Sequence, residues 1–550
     1  MGGDSGGRLH AFRSLAGNRT LVRVLAAYAL FVLTEYAAWI AMLVFAYGHG
    51  GATVAGIVAV AQLVPGAILA PVMAAVADRR SPVVLLAGGY LVQAAAMAAA
   101  AAAIFAGVPV AFYVFAVIAC IAQTAIRPAQ AALVPSVAAT ADQLTAVNVV
   151  VSWLESAGMV TSGLLAGILI ALAGVGSVFT VCAGLAVVAV VLAAGTRVTL
   201  APRREGSPAV LADVAEGLRL TVRRPRLRLM LALLTAESVV AGALDLLFVI
   251  LAVSVLGRSE AWAGYLNSAY GAGAVLAATV GAILIGRRLG APILGAALLV
   301  SAALAALAFG VGLAGTVVLL AVAGAASTLL DVALRTLLQR SVPLDLMGRV
   351  FGVLEGLTMA GYALGALLVP LLVHLGGNRL ALIGAAVVLP LSAAVGGRAL
   401  FVLDAGVPVP VVEIALLRSL PLFAELPAPA IEGLAGALTS VHVPAGTVLI
   451  QQGDQGDAYY AVAAGELDAW QDGHFLRRCG RGEGVGEIAL LRAIPRTASV
   501  IAHTPATVYR LDTEPFLTAV LGHAPTARRA DGIADTRLAA DADLDNSDSP

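Results

Sequence analysis

From about residue 21 to residue 402 the chain is a succession of apolar runs, each about 20 residues or longer. Hydrocarbon offers no water to backbone N–H and C=O groups, so a run of that length is stable there only as a helix that satisfies its own main chain. The spacing predicts spans near 21–47, 53–77, 82–106, 109–134, 143–172, 175–195, 229–256, 261–286, 290–310, 314–339, 348–375 and 379–402. Composition agrees: 60% of residues are hydrophobic and 12% are charged, whereas a soluble domain carries roughly 25% charged residues. The formal net charge is zero.

Arginine supplies every basic side chain, a bias that fits GC-rich coding and points to a bacterial source. Its placement sets the orientation. Arg8, Arg13, Arg19 and Arg23 precede or open the first run, and Arg79, Arg80, Arg197, Arg203, Arg204, Arg287, Arg288, Arg340 and Arg349 fall in alternate loops. The other loops hold little beyond Arg258 and Arg379. Both termini are therefore expected on the cytoplasmic side of an inner membrane. The first run is too long for a signal-peptide core and lacks an A-x-A end, so it reads as an uncleaved span. Asn18 heads a glycosylation triplet, but on the wrong side of the membrane.

The expected division is a cytoplasmic segment 1–20, a six-helix half 21–195, a central loop 196–228, a second six-helix half 229–402, a linker 403–414, a soluble domain 415–530 and a disordered acidic tail 531–550. Within the central loop, 208–224 can form an amphipathic helix with a basic end suited to anionic headgroups; a plain tether between the halves explains it equally well. The two halves echo each other. Arg127 precedes Pro135 by eight residues, and Arg335 precedes Pro343 by eight. The segment 154-LESAG-158 is matched by 354-LEGLTMAG-361, and Glu35 by Glu237. This indicates duplication of a six-helix unit.

The layout resembles the major facilitator superfamily over residues 15–402, with most similarity to its efflux branch. The loop 74-AAVADRRSP-82 keeps the family's Asp-Arg pair and following basic residue as Asp78, Arg79 and Arg80, with Ala74 where the family has glycine. Gly163 and Gly167 give close-packing spacing in the fifth span, but the proline of the antiporter signature is missing. The resemblance implies a twelve-helix polytopic bundle and transport of a small molecule across a lipid bilayer, possible proton coupling included.

Ionisable groups inside hydrocarbon are costly unless they find a partner or a wet cavity. Glu35, Arg127, Glu155, Glu237, Asp245, Asp331, Arg335 and Glu355 all fall in expected spans. Arg335 and Glu355 lie roughly 12 Å deep and could pair; Arg127 and Glu155 form the first-half analogue. Asp331 and Arg335, four apart on one helix, could pair instead. Such pairs either latch helices or line the substrate path, and both readings stay open. Glu35 and Glu237 have no nearby cation in sequence, so they are expected to face a polar cavity and take up a proton or a cationic substrate. Asp245 could share that cavity.

After Pro408 and Pro410 the pattern changes to short helices over 412–438, then to alternating strands punctuated by Gly446, Gly453, Gly456 and Gly465, which predicts a β-roll with flanking helices. The stretch 486-GEIALLRAIPRTASV-500 adds chemistry. Gly486 permits a tight turn and close approach. Residues 487–491 can form one helical turn with free N–H groups, Pro495 stops it, and Arg496 adds a full positive charge, a combination suited to phosphate. Glu487 would repel phosphate alone, but it can accept from a hydroxyl beside one. These residues, within about 415–530, resemble the cyclic nucleotide-binding domain. The resemblance implies that Glu487 binds the ribose hydroxyl and Arg496 the cyclic phosphate, with Gly486, Ile488, Ala489 and Leu490 forming the cradle. Thr497 can contact guanine in that family yet also occurs in cAMP binders; cAMP is favoured and cGMP stays open. A base-capping residue should follow Leu517.

The expected function is a secondary transporter regulated by a cyclic nucleotide. A non-transporting receptor and an exporter of the nucleotide itself stay open as alternatives. No P-loop, nucleophile constellation, CxxC or His-rich metal set is present, so neither enzyme activity, a metal, a cofactor nor a nucleic-acid partner is expected.

Overall fold

The computed structural model describes residues 17–79, 81–137, 141–196, 224–280, 287–342, 344–406, 411–423 and 428–521, with 219, 426, 526, 529–533 and 535–536. The apolar part is all helix: α1 Arg19–Arg79, α2 Pro82–Phe105, α3 Pro109–Val137, α4 Ala141–Ala173, α5 Val175–Ala194, α6 Pro225–Ile250, α7 Trp262–Val280, α8 Gly290–Leu307, α9 Gly312–Ser341 and α10 Leu344–Gly406. Leu251–Val255 continues α6 as a π-helical turn. Asn18, set aside above as a glycosylation triplet, caps α1: its Oδ1 accepts from Leu21 N–H at 3.2 Å.

The first two expected spans form one helix broken at Gly50 and Gly51, and the last two form one broken at Gly376 and Gly377. Gly51 (φ 64°) and Gly377 (φ 71°) sit in the left-handed region, which glycine enters without a Cβ penalty. Among the described residues nine helical stretches are long and apolar enough to cross a membrane, the two broken helices counting once each. Tyr265, Asn267, Ser268 and Tyr270 make α7 more polar, and that helix faces protein: Ser268 Oγ donates to Val160 O on α4 at 2.7 Å. Residues 281–286 of the expected eighth span, and the central-loop helix apart from 219 and 224, lie outside the described residues.

Large apolar side chains point outward along the bundle, as Leu172 (79% exposed) and Val110 (73%) do. A soluble protein would not leave so wide an apolar surface uncovered; a bilayer covers it. Inside, one core of buried Ala, Val, Leu and Phe runs continuously from α1 to α10. The halves meet where side chains are smallest. A Cβ on Gly163 would lie 2.6 Å from Gly264 O, and one on Gly167 would lie 2.9 Å from Ala261 O, so α4 and α7 touch backbone to backbone.

α10 extends into the expected linker as far as Gly406. There Asp404 is buried, and its carboxylate accepts from Leu289 N–H (3.0 Å) and Gly290 N–H (3.1 Å), capping α8. The soluble domain then opens with α11 Val411–Ser419 and α12 Ala428–Gly436. Eight strands follow: β1 Thr439–Val443, β2 Val448–Ile450, β3 Ala458–Ala464, β4 Leu467–Gln471, β5 His474–Cys479, β6 Gly484–Val485, β7 Ser499–Ala502 and β8 Ala506–Asp512. α13 Glu487–Arg492 lies between β6 and β7, and α14 Thr513–Leu521 closes the domain. The strands form two antiparallel sheets, ordered β1-β8-β3-β6 and β2-β7-β4-β5, with Val508 opposite both Val441 and Val462. Phe423, Tyr459 and Phe516 bind the helices to this roll; Tyr459 stacks on Phe516 at 5.1 Å.

The tail does not begin as expected. Residues 529–533 and 535–536 are helical, and Ala530 is fully buried. Arg492 on α13 holds this helix through Asp535 (2.5 Å) and Asp531 (3.4 Å). At these residues a tertiary partner acts where local composition favoured disorder; the rest of the expected tail, 534 and 537–550, lies outside the described residues.

Gly163→Leu should force α4 and α7 apart. Overpacking of this kind costs about 1–3 kcal/mol, and a lowered thermal unfolding midpoint of the detergent-purified chain would show it. An unchanged midpoint would mean that the halves do not meet there.

Candidate functional site

The cassette sits where β6 passes into α13. Gly486 adopts φ 93°, and a Cβ there would lie 2.5 Å from Arg496 Nη1, so only glycine lets the guanidinium approach the turn. Arg496 is 5% exposed. Its Nη1 donates to Gly486 O at 2.9 Å; its Nη2 donates to Ala458 O at 2.7 Å and to Asp457 Oδ1 at 3.0 Å. None of these bonds uses Nε. The side chain is therefore fixed by two main-chain carbonyls, with its charge balanced by Asp457, which is itself 62% exposed and also accepts from Arg510 at 3.2 Å. Phosphate bound here would meet an arginine already oriented, with little ordering left to do.

Glu487 opens α13 and is 2% exposed, and Ile488, Ala489 and Leu490 are buried beside it. Thr497 is partly exposed. The helix covers the expected turn and one residue more, to Arg492, and it is Ala493, at φ 52°, that closes it two residues before Pro495. Gly456 does not serve as a left-handed turn. It lets the loop before β3 approach the cassette, since a Cβ there would lie 2.9 Å from Ala489 Cβ. The structure thus brings Gly486, Glu487, Ile488, Ala489, Leu490 and Arg496 to one turn. Sequence reading missed Asp457, although its place next to strand β3 was visible. The Arg492 contacts to Asp531 and Asp535 depend on a fold that no local pattern announces.

In the bundle, Arg127 joins two carboxylates. Its Nη2 lies 2.7 Å from Glu35 Oε2, and its Nη1 lies 2.8 Å from Glu155 Oε1. Tyr28 Oη donates to the same Glu155 oxygen at 2.5 Å, and the guanidinium lies 5.6 Å over the Phe31 ring. The Arg127–Glu155 pair is formed as expected. Glu35, expected to lack a cation, has one: the second limb of α1 and all of α2 separate the residues in sequence, but the first limb of α1 and α3 are neighbours in space. All three groups remain partly exposed, with side chains 42%, 23% and 41% accessible for Arg127, Glu35 and Glu155.

The second half differs. Arg335 Nε bonds Asp331 Oδ1 on its own helix at 2.7 Å, and among the described residues it makes no ion pair with Glu355. A partner one helical turn away wins over one on another helix. Glu237 accepts from Ser327 Oγ at 2.9 Å, and Asp245 accepts from Trp39 Nε1 at 3.1 Å. Both carboxylates therefore bond neutral donors. Asp78 and Arg79 lie on α1, and their side chains and Arg80 fall outside the described residues. Among the described residues no three His, Cys, Asp or Glu side chains converge as a metal site, and Cys120, Cys182 and Cys479 are free thiols.

Arg127→Met should leave two facing carboxylates uncompensated and lower thermal stability by about 1–3 kcal/mol, less than breaking a fully buried pair because all three side chains are partly exposed. Adding Glu35→Gln should recover part of that loss. Strictly additive effects in the double-mutant cycle would show that the two residues do not interact.

The sequence profile described as Major Facilitator Superfamily matches residues 24–366, and that described as cyclic nucleotide-binding domain matches residues 440–523. Neither describes an enzyme. A cAMP-dependent protein kinase regulatory subunit from Aspergillus niger is 38% identical over 104 residues, covering 18% of this chain and 25% of that protein. An uncharacterized protein of Mycobacterium tuberculosis is 37% identical over 98 residues, covering 18% of this chain and 19% of its own. This chain thus spans a quarter or less of the length of these curated relatives. Among solved structures, the cAMP-bound regulatory domain of Toxoplasma gondii PKA aligns at 29% identity over 20% of this chain and 44% of that one, with a TM-score of 0.20. The chain belongs to the Major Facilitator Superfamily and carries a cyclic nucleotide-binding domain at its C-terminal end.

Proposed function

We propose that the chain is a secondary transporter of a bacterial inner membrane, with twelve crossings and both termini in the cytoplasm, whose cycle is adjusted by a cyclic nucleotide bound to the C-terminal domain. The observation that carries the regulatory half is the preoriented Arg496, held by Gly486 O and Ala458 O beside the buried Glu487. In this reading Arg496 takes the cyclic phosphate, Glu487 takes a ribose hydroxyl, and Gly486, Ile488, Ala489 and Leu490 supply the cradle. cAMP is the favoured ligand because the kinase regulatory subunits that resemble the domain are named for it; Thr497 keeps cGMP in the comparison.

Export of a small molecule is the favoured direction, on resemblance to the efflux branch. Intramembrane carboxylates outnumber arginines, which suits a proton or a cationic cargo better than an anionic one. Glu237 and Asp245 are the foremost candidates, because their partners are the neutral Ser327 and Trp39. The Glu35, Glu155 and Arg127 network and the Asp331–Arg335 pair are ready to exchange partners as helices move, with Glu355 as the alternative acceptor for Arg335. Regulation has a short physical route: α10 runs to Gly406, Asp404 ties it to α8, and α11 of the sensor starts at Val411. A nucleotide shifts the transport equilibrium only by its differential affinity for the two states.

Calorimetric titration of the purified full chain should show uptake of cAMP, and Arg496→Ala should weaken it by about 10–100-fold, the value of a charged hydrogen-bond set. In proteoliposomes, cAMP should change flux of a test cation in the unmodified chain and leave Arg496→Ala flux unchanged. Glu237→Gln should lower flux while nucleotide uptake persists. Negligible uptake of both nucleotides by the unmodified chain would remove the sensor reading; uptake without any flux would favour a receptor.

A further inference from the structure

Between the first turns of α6 and the last turns of α10 lies a cavity of about 1150 Å³, above the roughly 300–1,000 Å³ of ordinary small-molecule pockets. Its walls are apolar: Leu229, Ala236 and Val239 on one helix, and Val388, Leu391 and Val395 on the other. Leu391 and Val395 are 61% and 84% exposed, so the groove is open along its side rather than sealed beneath another helix. From Arg226 to Val239 the α6 wall rises about 20 Å at 1.5 Å per residue. That depth matches one leaflet, which is about half of a ~30 Å hydrocarbon core plus its headgroup layer.

The mouth has the opposite chemistry. Arg226, Arg228 and Arg398 line it, all three exposed, and no Asp or Glu lines any part of the cavity. Other arginines near helix ends are bonded to protein: Arg23 donates to Gly195 O, and Arg340 donates to Arg287 O. Among the described residues these three make no ion pair. They line one end of an apolar groove from two helices, within the first turns of α6 and the last turns of α10.

We infer that this groove holds an anionic glycerophospholipid, with its phosphate on Arg226, Arg228 and Arg398 and its acyl chains against α6 and α10. A neutral lipid would fill the walls but leave three guanidinium groups with no net negative charge to meet. A soluble anion would meet the arginines but leave the walls uncovered. The site joins two segments that matter to the sensor. α6 is the helix that leaves the central loop, and α10 is the helix that leads into the soluble domain. The inference does not depend on nucleotide binding, and its test reads lipid alone.

The full chain, purified in detergent, is offered equal amounts of dioleoyl phosphatidylglycerol and dioleoyl phosphatidylcholine and examined by native mass spectrometry. Phosphatidylglycerol should be retained and phosphatidylcholine should stay at background. The triple variant R226Q/R228Q/R398Q should lose retention by roughly fivefold for each arginine removed, with its thermal midpoint unchanged. Ala232→Trp, which places an indole in the groove and spares all three arginines, should also expel the lipid. Excess glycerol phosphate should not displace it. Equal retention of the two lipids, full retention in either variant, displacement by glycerol phosphate, or a dimer of the chain that carries no lipid would each overturn the inference.

Discussion

A polar group placed in hydrocarbon must find its partner within the protein, and most of this structure follows from that requirement. It makes every crossing helical, since a helix satisfies its own main chain. It also decides how helices meet. Lipid is as apolar as leucine, so association gains little from burial and depends on close contact. Gly163, Gly167 and Gly264 provide that contact, bringing the backbones of α4 and α7 together. The same requirement explains why Arg127 gathers Glu35, Glu155 and Tyr28 around it, and why Asp331 takes Arg335 from the helical turn beside it.

The soluble domain solves the equivalent problem in water. Arg496 is buried, so its charge must be answered; two carbonyls and Asp457 answer it. Asp457 stays mostly exposed, and its link to Arg496 is therefore the softer one. A bound phosphate would compete with that carboxylate for the guanidinium while the two carbonyl bonds hold the side chain in place. Glycine supplies the clearance at both sides of this arrangement: Gly486 for the guanidinium and Gly456 for the loop that packs on Ala489. The helical residues 529–533 and 535–536, fixed to Arg492 through Asp531 and Asp535, lie against the cassette helix. The two domains are joined at a place that is stiff on the membrane side, where Asp404 caps α8 from the last turn of α10.

Much of this was legible beforehand, for identifiable reasons. Apolar run length reports helices because the bilayer has a set thickness, and the expected gaps at 48–52 and 376–378 bracket the breaks at Gly51 and Gly377, whose left-handed conformation the structure supplied. The cassette was readable because its parts are contiguous: a glycine, a helical turn and an arginine within eleven residues of one another. Other features were hidden because their parts are distant. Glu35 and Arg127 are 92 positions apart, and nothing local to Glu35 indicates a cation. Ala493, an ordinary helix former, ends α13 because the following chain must turn toward β7. The first residues of the acidic tail, 531–533 and 535–536, are helical where composition suggested disorder, because Arg492 pairs with Asp531 and Asp535.

The order of residues by itself determined which segments are apolar enough to cross a membrane, the helical state of the spans and the composition of the turn from Gly486 to Arg496, since each depends on neighbours within a turn or two of chain. The tertiary structure alone decided which charge answers which wherever the partners lie on different elements: Glu35 with Arg127, and Asp457 with Arg496. Coulombic attraction falls with distance in space and is indifferent to separation along the chain. Partner choice therefore belongs to the packing of helices and sheets, and no local pattern encodes it.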